Sequence, residues 1–125
     1  MNTKQQGDIG VGTAIAHFIN MGWPVSFPLT ESLPYDLIVD EDGELKKVQV
    51  KTTRHKDAGK FKVEIRTSGG NQSFKTTKAF NPTKVDYLFV LCLDKEEHIK
   101  YLFPMTMEFP TQSLTLGPSY DQYKV

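Results

Sequence analysis

Pro34-Tyr-Asp-Leu-Ile-Val-Asp-Glu-Asp-Gly-Glu-Leu-Lys-Lys-Val-Gln-Val-Lys-Thr-Thr53 reads as two strands joined at Asp42-Gly43. Asp-Gly between alternating hydrophobic residues is the strongest short signal for a hairpin with a two-residue type I′ turn. Such a turn sets Asp36 opposite Gln49 and Leu37 opposite Val48. Side chains two apart share a sheet face, so Lys51 points the same way as Gln49, while Val39 and Val50 flank Leu37 and Val48 on the other face. The apolar face has a core to join. The polar face gathers a carboxylate, a second oxygen ligand and an ammonium, a set suited to metal-assisted phosphodiester hydrolysis.

The 125 residues suit a single domain, 1–125, long enough to bury roughly two thirds of the surface of the unfolded chain. With 38% hydrophobic and 24% charged residues the composition is that of an ordinary globular protein, not a disordered one. The longest apolar run, Tyr87 to Leu93, is far too short to span a bilayer, and the N-terminus lacks a signal-peptide pattern. The expectation is a cytoplasmic protein with no membrane partner. The lone cysteine, Cys92, lies in that run and reads as a core residue.

A formal net charge of zero hides a strong segregation. Between Lys46 and Lys84 lie 11 of the 15 Lys and Arg residues, against only Asp57 and Glu64. This local excess is a footprint for phosphate binding, and it begins beside Lys51. The acids cluster instead around the first hairpin and in the C-terminal third.

Outward from the hairpin, residues from about Asp8 to Met21 read as a helix, with Asp8 as its N-cap and Gly22 and Pro24 ending it. Gly7, Gly10 and Gly12 each cost about 1 kcal/mol relative to Ala inside a helix, which points either to a late start or, the reading favoured, to close packing against another backbone at a site or interface. Trp23 to Leu29 reads as a half-buried edge strand. Beyond the hairpin, Arg54 to Gly59 reads as a basic loop and Lys60 to Thr67 as a strand with Phe61, Val63 and Ile65 on one face. The amide- and lysine-rich arm from Ser68 to Lys78 could join that strand as a ribbon entering the major groove of DNA. The candidate DNA contacts are Arg54, Lys56, Lys60, Lys62, Arg66, Asn71, Gln72, Lys75 and Lys78. Val85 to Leu93 reads as a central, doubly buried strand and Ile99 to Phe103 as the next. His17, His55 and His98 lack metal-ligand spacing.

Pro34-Tyr35-Asp36 followed by Gln49-Val50-Lys51 resembles the PD-(D/E)xK nuclease signature, with Gln49 in the place of the second acid. Gly-Asp-Ile-Gly at 7–10, Pro-Tyr-Asp-Leu-Ile-Val-Asp at 34–40, Val-Gln-Val-Lys-Thr at 48–52 and Val-Asp-Tyr-Leu at 85–88 resemble the cyanobacterial intron-encoded homing endonucleases of that superfamily. The resemblance implies an α/β, restriction-endonuclease-like mixed β-sheet with flanking helices and a β-ribbon DNA-binding extension. It also implies a site-specific, homing-type endonuclease that hydrolyses double-stranded DNA with Mg²⁺ and acts as a homodimer or homotetramer. Asp36 and Gln49 would ligate the metal, and Lys51 would orient or help deprotonate the attacking water. The family pattern places a glutamate where this chain has Val11. Valine ligates nothing, so the resemblance implies weakened or absent cleavage unless another group compensates. The alternatives are a Holliday-junction resolvase-like nuclease and a DNA-binding module without cleavage activity.

Overall fold

A computed structural model describes residues 1–69, 76–106 and 108–125. The chain opens with helix α1, Thr3–Asn20, capped by Asn2, whose side chain accepts the Gln5 N–H while the Gln5 side chain accepts the Asn2 N–H. This reciprocal capping box lets the helix begin five residues ahead of the expected Asp8 and carry Gly7, Gly10 and Gly12 in its interior. Gly10, Ala14 and Phe18 form its buried stripe. Of the three glycines only Gly10 meets another element: a Cβ there would run into Thr52 Oγ1, whereas the space around Gly7 and Gly12 is open.

The edge strand β1 is short, Val25–Ser26, held between Pro24 and Pro28. The hairpin follows as β2, Leu37–Glu41, and β3, Glu44–Thr53, with Leu37 opposite Val48 as the turn chemistry dictates. Asp42 and Gly43 have φ of 53° and 96°, the left-handed pair that a type I′ turn requires. Asp40 Oδ1 steadies the turn by accepting the Gly43 N–H at 2.7 Å.

The chain then makes an excursion before returning to the main sheet. Strands β4 (Lys56–Asp57) and β5 (Lys60–Glu64) pair with each other, and β6 (Thr67–Gly69) pairs with β7 (Thr76–Lys78) as a separate ribbon. The strand expected over Lys60 to Thr67 is broken because the Ile65 and Arg66 N–H groups both turn to Gln112 O. Strand β8, Tyr87–Leu93, returns parallel to β3, and β9, His98–Pro104, pairs antiparallel beside it. The last strand, β10 (Ser113–Leu116), completes a small β10-β5-β4 sheet.

The main sheet is thus mixed, in the order β1-β2-β3-β8-β9, with β8 buried on both faces. On one face Ala14 and Phe18 of α1 pack on Leu37, Val39, Val48, Val50, Phe89 and Leu91. On the other, Leu88, Val90 and Phe103 meet Phe61, Val63 and Leu114 of the small sheet. This second face is covered by strands and by a 3₁₀ helix over Pro118–Tyr123, so among the described residues α1 is the single α-helix flanking the mixed sheet. Tyr120 and Tyr123 close the same core over Phe103, with ring centroids 5.6 and 5.1 Å away. Cys92 is fully buried there, and burial pushes its thiol up to about 12, outside any reactive range. Among the described residues no helix is long and apolar enough to cross a membrane.

Candidate active site

Alternation along β3 decides which side chains share a face. Val48 and Val50 point into the helix-side core, so Gln49 and Lys51 point toward the small sheet, level with Leu88 and Val90 of the parallel neighbour β8. Asp36 ends the loop before β2, anchored through its own N–H to Val48 O at 2.8 Å. Its Oδ2 accepts the Gln49 Nε2 amide at 3.0 Å and the Val50 backbone N–H at 2.8 Å. Both bonds fall on one carboxylate oxygen. Gln49 is itself 8% exposed, a deeply set amide at the floor of the site.

The electrostatics show what the assembly costs. Burial pushes Asp36 above the ordinary carboxylate value, against the opposing pull of the Val50 N–H and the Lys51 charge. Burial likewise lowers Lys51 below the ordinary lysine value, and the nearby Asp36 charge only partly restores it. For both partners desolvation outweighs mutual attraction. A carboxylate short of compensating charge, beside an amide that can turn its carbonyl inward, is a hard oxygen donor set. It fits a divalent cation that keeps several waters and takes further ligands from a substrate. Among the described residues no cluster of three His, Cys, Asp or Glu side chains forms a self-sufficient metal cage.

The structure brings Asp36 and Gln49 into hydrogen-bond contact, with the Lys51 charge close enough to act on Asp36. Val11 is half-buried on α1 and packs with the helix-side core. The candidate DNA contacts divide. Lys60 and Lys62 alternate with the buried Phe61 and Val63 on β5, so they lie on its outer face. Arg54 is tied down, its Nε donating to Gln6 Oε1 at 2.8 Å and its Nη2 to Met1 O at 3.2 Å. Lys56 pairs with Asp94 at 3.1 Å and Arg66 with Glu64 at 2.9 Å. Lys78 pairs through its backbone with Thr67. Asn71, Gln72 and Lys75 lie outside the described residues.

Two positioning groups escape sequence reasoning. The Val50 N–H has no residue-type signal, and only the observed bend of the chain at Asp36 brings a carboxylate to it. Asp86 looked like part of a motif, yet its Oδ2 accepts the Lys47 N–H at 2.8 Å and its N–H donates to Lys47 O at 2.9 Å. It fixes the entry of β8 beside β3.

No curated protein matches the chain. Among solved structures, it resembles the bacterial homing endonuclease I-Ssp6803I with a TM-score of 0.78 and 27% identity, over 99% of this chain and 89% of that one. The profile of the PD-(D/E)XK endonuclease family matches residues 1–117, across α1, the hairpin, the basic excursion and the β8–β9 pair. With the signature residues Asp36, Gln49 and Lys51 assembled on one face, this chain belongs to the PD-(D/E)XK endonuclease family.

Proposed function

We propose that the protein is a site-specific, homing-type endonuclease that hydrolyses phosphodiester bonds of double-stranded DNA with Mg²⁺. The observation that supports this best is the convergence of the Asp36 carboxylate, the Gln49 amide and the Lys51 ammonium on one desolvated face. Asp36 and the Gln49 carbonyl would hold the metal, which supplies positive charge against the scissile phosphate and lowers the pKa of water. Gln49 contributes no charge, so metal affinity rests heavily on Asp36 and on phosphate oxygens of bound DNA. Cation and DNA then bind cooperatively. The depressed pKa of Lys51 suits a group that orients the attacking water, accepts its proton through solvent and neutralises charge building on the phosphorus. The basic segment that follows Lys51 holds the duplex.

Cleavage of a supercoiled plasmid in Mg²⁺, and its absence in Ca²⁺, tests the reading. Lys51→Ala should lower the cutting rate about 100-fold or more while leaving a stable protein–DNA complex. Equal cutting by Lys51→Ala would exclude this site.

Val11 supports a second reading, a chain that binds DNA and cuts slowly or not at all, because the family's acid is missing from α1. Val11→Glu should raise Mg²⁺-dependent cutting. An unchanged rate would remove position 11 from the catalytic machinery.

A further inference from the structure

At the carboxyl ends of the parallel strands β3 and β8, beyond the catalytic face, lies a cleft of about 460 Å³. Arg54, Lys56, Lys95 and His98 line it, with the Phe61 ring in its wall and Asp94 as its acid. Gln6 and Met1 hold the Arg54 guanidinium in place. Lys56 stands 4.7 Å from the centroid of the Phe61 ring while bonding Asp94 Oδ2 at 3.1 Å. The cleft is therefore a basic pocket over an apolar wall that includes Met1, Ile9, Phe61 and Leu93, with one half-buried carboxylate spending part of its charge.

We propose that this cleft binds a backbone phosphate of the DNA substrate, some steps along the strand from the scissile one, and that Asp94 restrains its affinity. The inference rests on the proposed reading of Asp36, Gln49 and Lys51 as a DNA-cutting site. An extended chain advances about 3.3 Å per residue, so Arg54 lies roughly 10 Å along β3 from Lys51. A DNA strand advances about 3.4 Å along the helix axis per nucleotide, so the pocket lies about three nucleotides along that axis from the site when β3 runs parallel to it. The cleft lies on an element rigidly joined to the catalytic strand, so a phosphate seated there fixes the register of the duplex. A phosphate also competes with Asp94 for Lys56. An ion pair this open to solvent on the Lys56 side is weak enough to yield to it.

The test is a salt titration of affinity for a non-specific 30-base-pair duplex in Ca²⁺, read by fluorescence anisotropy. Asp94→Asn releases Lys56 and removes a repulsive charge, so binding should tighten about threefold. Lys95→Glu should weaken it about tenfold, and Lys95→Ala should flatten the log–log salt slope by about 0.9, the share of one phosphate contact. Unchanged or weaker binding by Asp94→Asn, or an unchanged slope in Lys95→Ala, overturns the pocket while a normal parent slope leaves the nuclease reading standing. A parent slope near zero overturns both.

Discussion

Asp36 concentrates the conflict between stability and chemistry. Its carboxylate is held above its ordinary pKa by burial, so the folded chain binds that proton more tightly than the unfolded chain does. The sign follows: stability falls as pH rises from the ordinary carboxylate value through the raised one, and the loss persists at neutral pH. Asp36→Asn removes the charge and keeps both hydrogen bonds, because the Gln49 amide and the Val50 N–H already share one oxygen that Asn Oδ1 can replace. The variant should melt about 2–4 °C above the parent at pH 7, with the gap closing toward pH 4, and should lose cleavage and any metal-induced rise in melting temperature. Thermal melts across that pH range check it. A less stable variant at pH 7 would show that the carboxylate supports the fold after all. The acid, the amide and the lysine were legible from the hairpin alone because a two-residue turn and a period of two leave their register no freedom. The bond that aims Asp36 was not legible, because a backbone N–H looks the same at every residue.

At the scale of elements, α1 and β3 approach as closely as they do because position 10 carries no side chain. The three helical glycines of the sequence look alike, yet their surroundings differ. At Gly10 an added Cβ runs into Thr52 Oγ1 and comes within 3.4 Å of Val50, whereas Gly7 and Gly12 face open space. Gly7→Ala and Gly12→Ala should therefore stabilise the protein by up to about 1 kcal/mol each, the difference in helix propensity. Gly10→Ala should destabilise it, since overpacking costs about 1–3 kcal/mol against the same gain. Thr52 Oγ1 is buried without a hydrogen-bond partner, so Thr52→Ala removes the obstruction at little polar cost. The double variant should recover most of the loss in a denaturant-unfolding cycle, and additive losses would place the clash elsewhere. The helix start shows the same limit on reading a sequence. Asn2 and Gln5 spell a capping box, but the glycines just downstream argue for a later start until the close approach to Thr52 and the tertiary packing of Ala14 and Phe18 are visible. The strand beyond Glu64 could not be read either, because Gln112, which draws off the Ile65 and Arg66 N–H groups, is remote in sequence.

Across the whole molecule, basic charge and the candidate active site sit on different stretches of one chain. The hairpin carries the acid, and the excursion from Arg54 to Lys78 carries an excess of base that the neutral total conceals. One chain also assembles one Asp36–Gln49–Lys51 face, while cutting both strands of a duplex takes two reacting centres of opposite polarity. On the proposed reading the active species is a symmetric homodimer or homotetramer, whose rotation axis matches the pseudo-symmetry of a duplex target. Mixing equal amounts of the parent and Asp36→Asn chains supplies a direct test, because random pairing leaves half of all dimers with one working centre. Such mixtures should build up nicked circles well before linear product, which then forms slowly through the quarter of dimers that remain parental, whereas the parent alone should pass quickly to linear product. If the mixture instead yields linear DNA at half the parent's rate with no build-up of nicked circles, each chain cuts both strands in succession by itself.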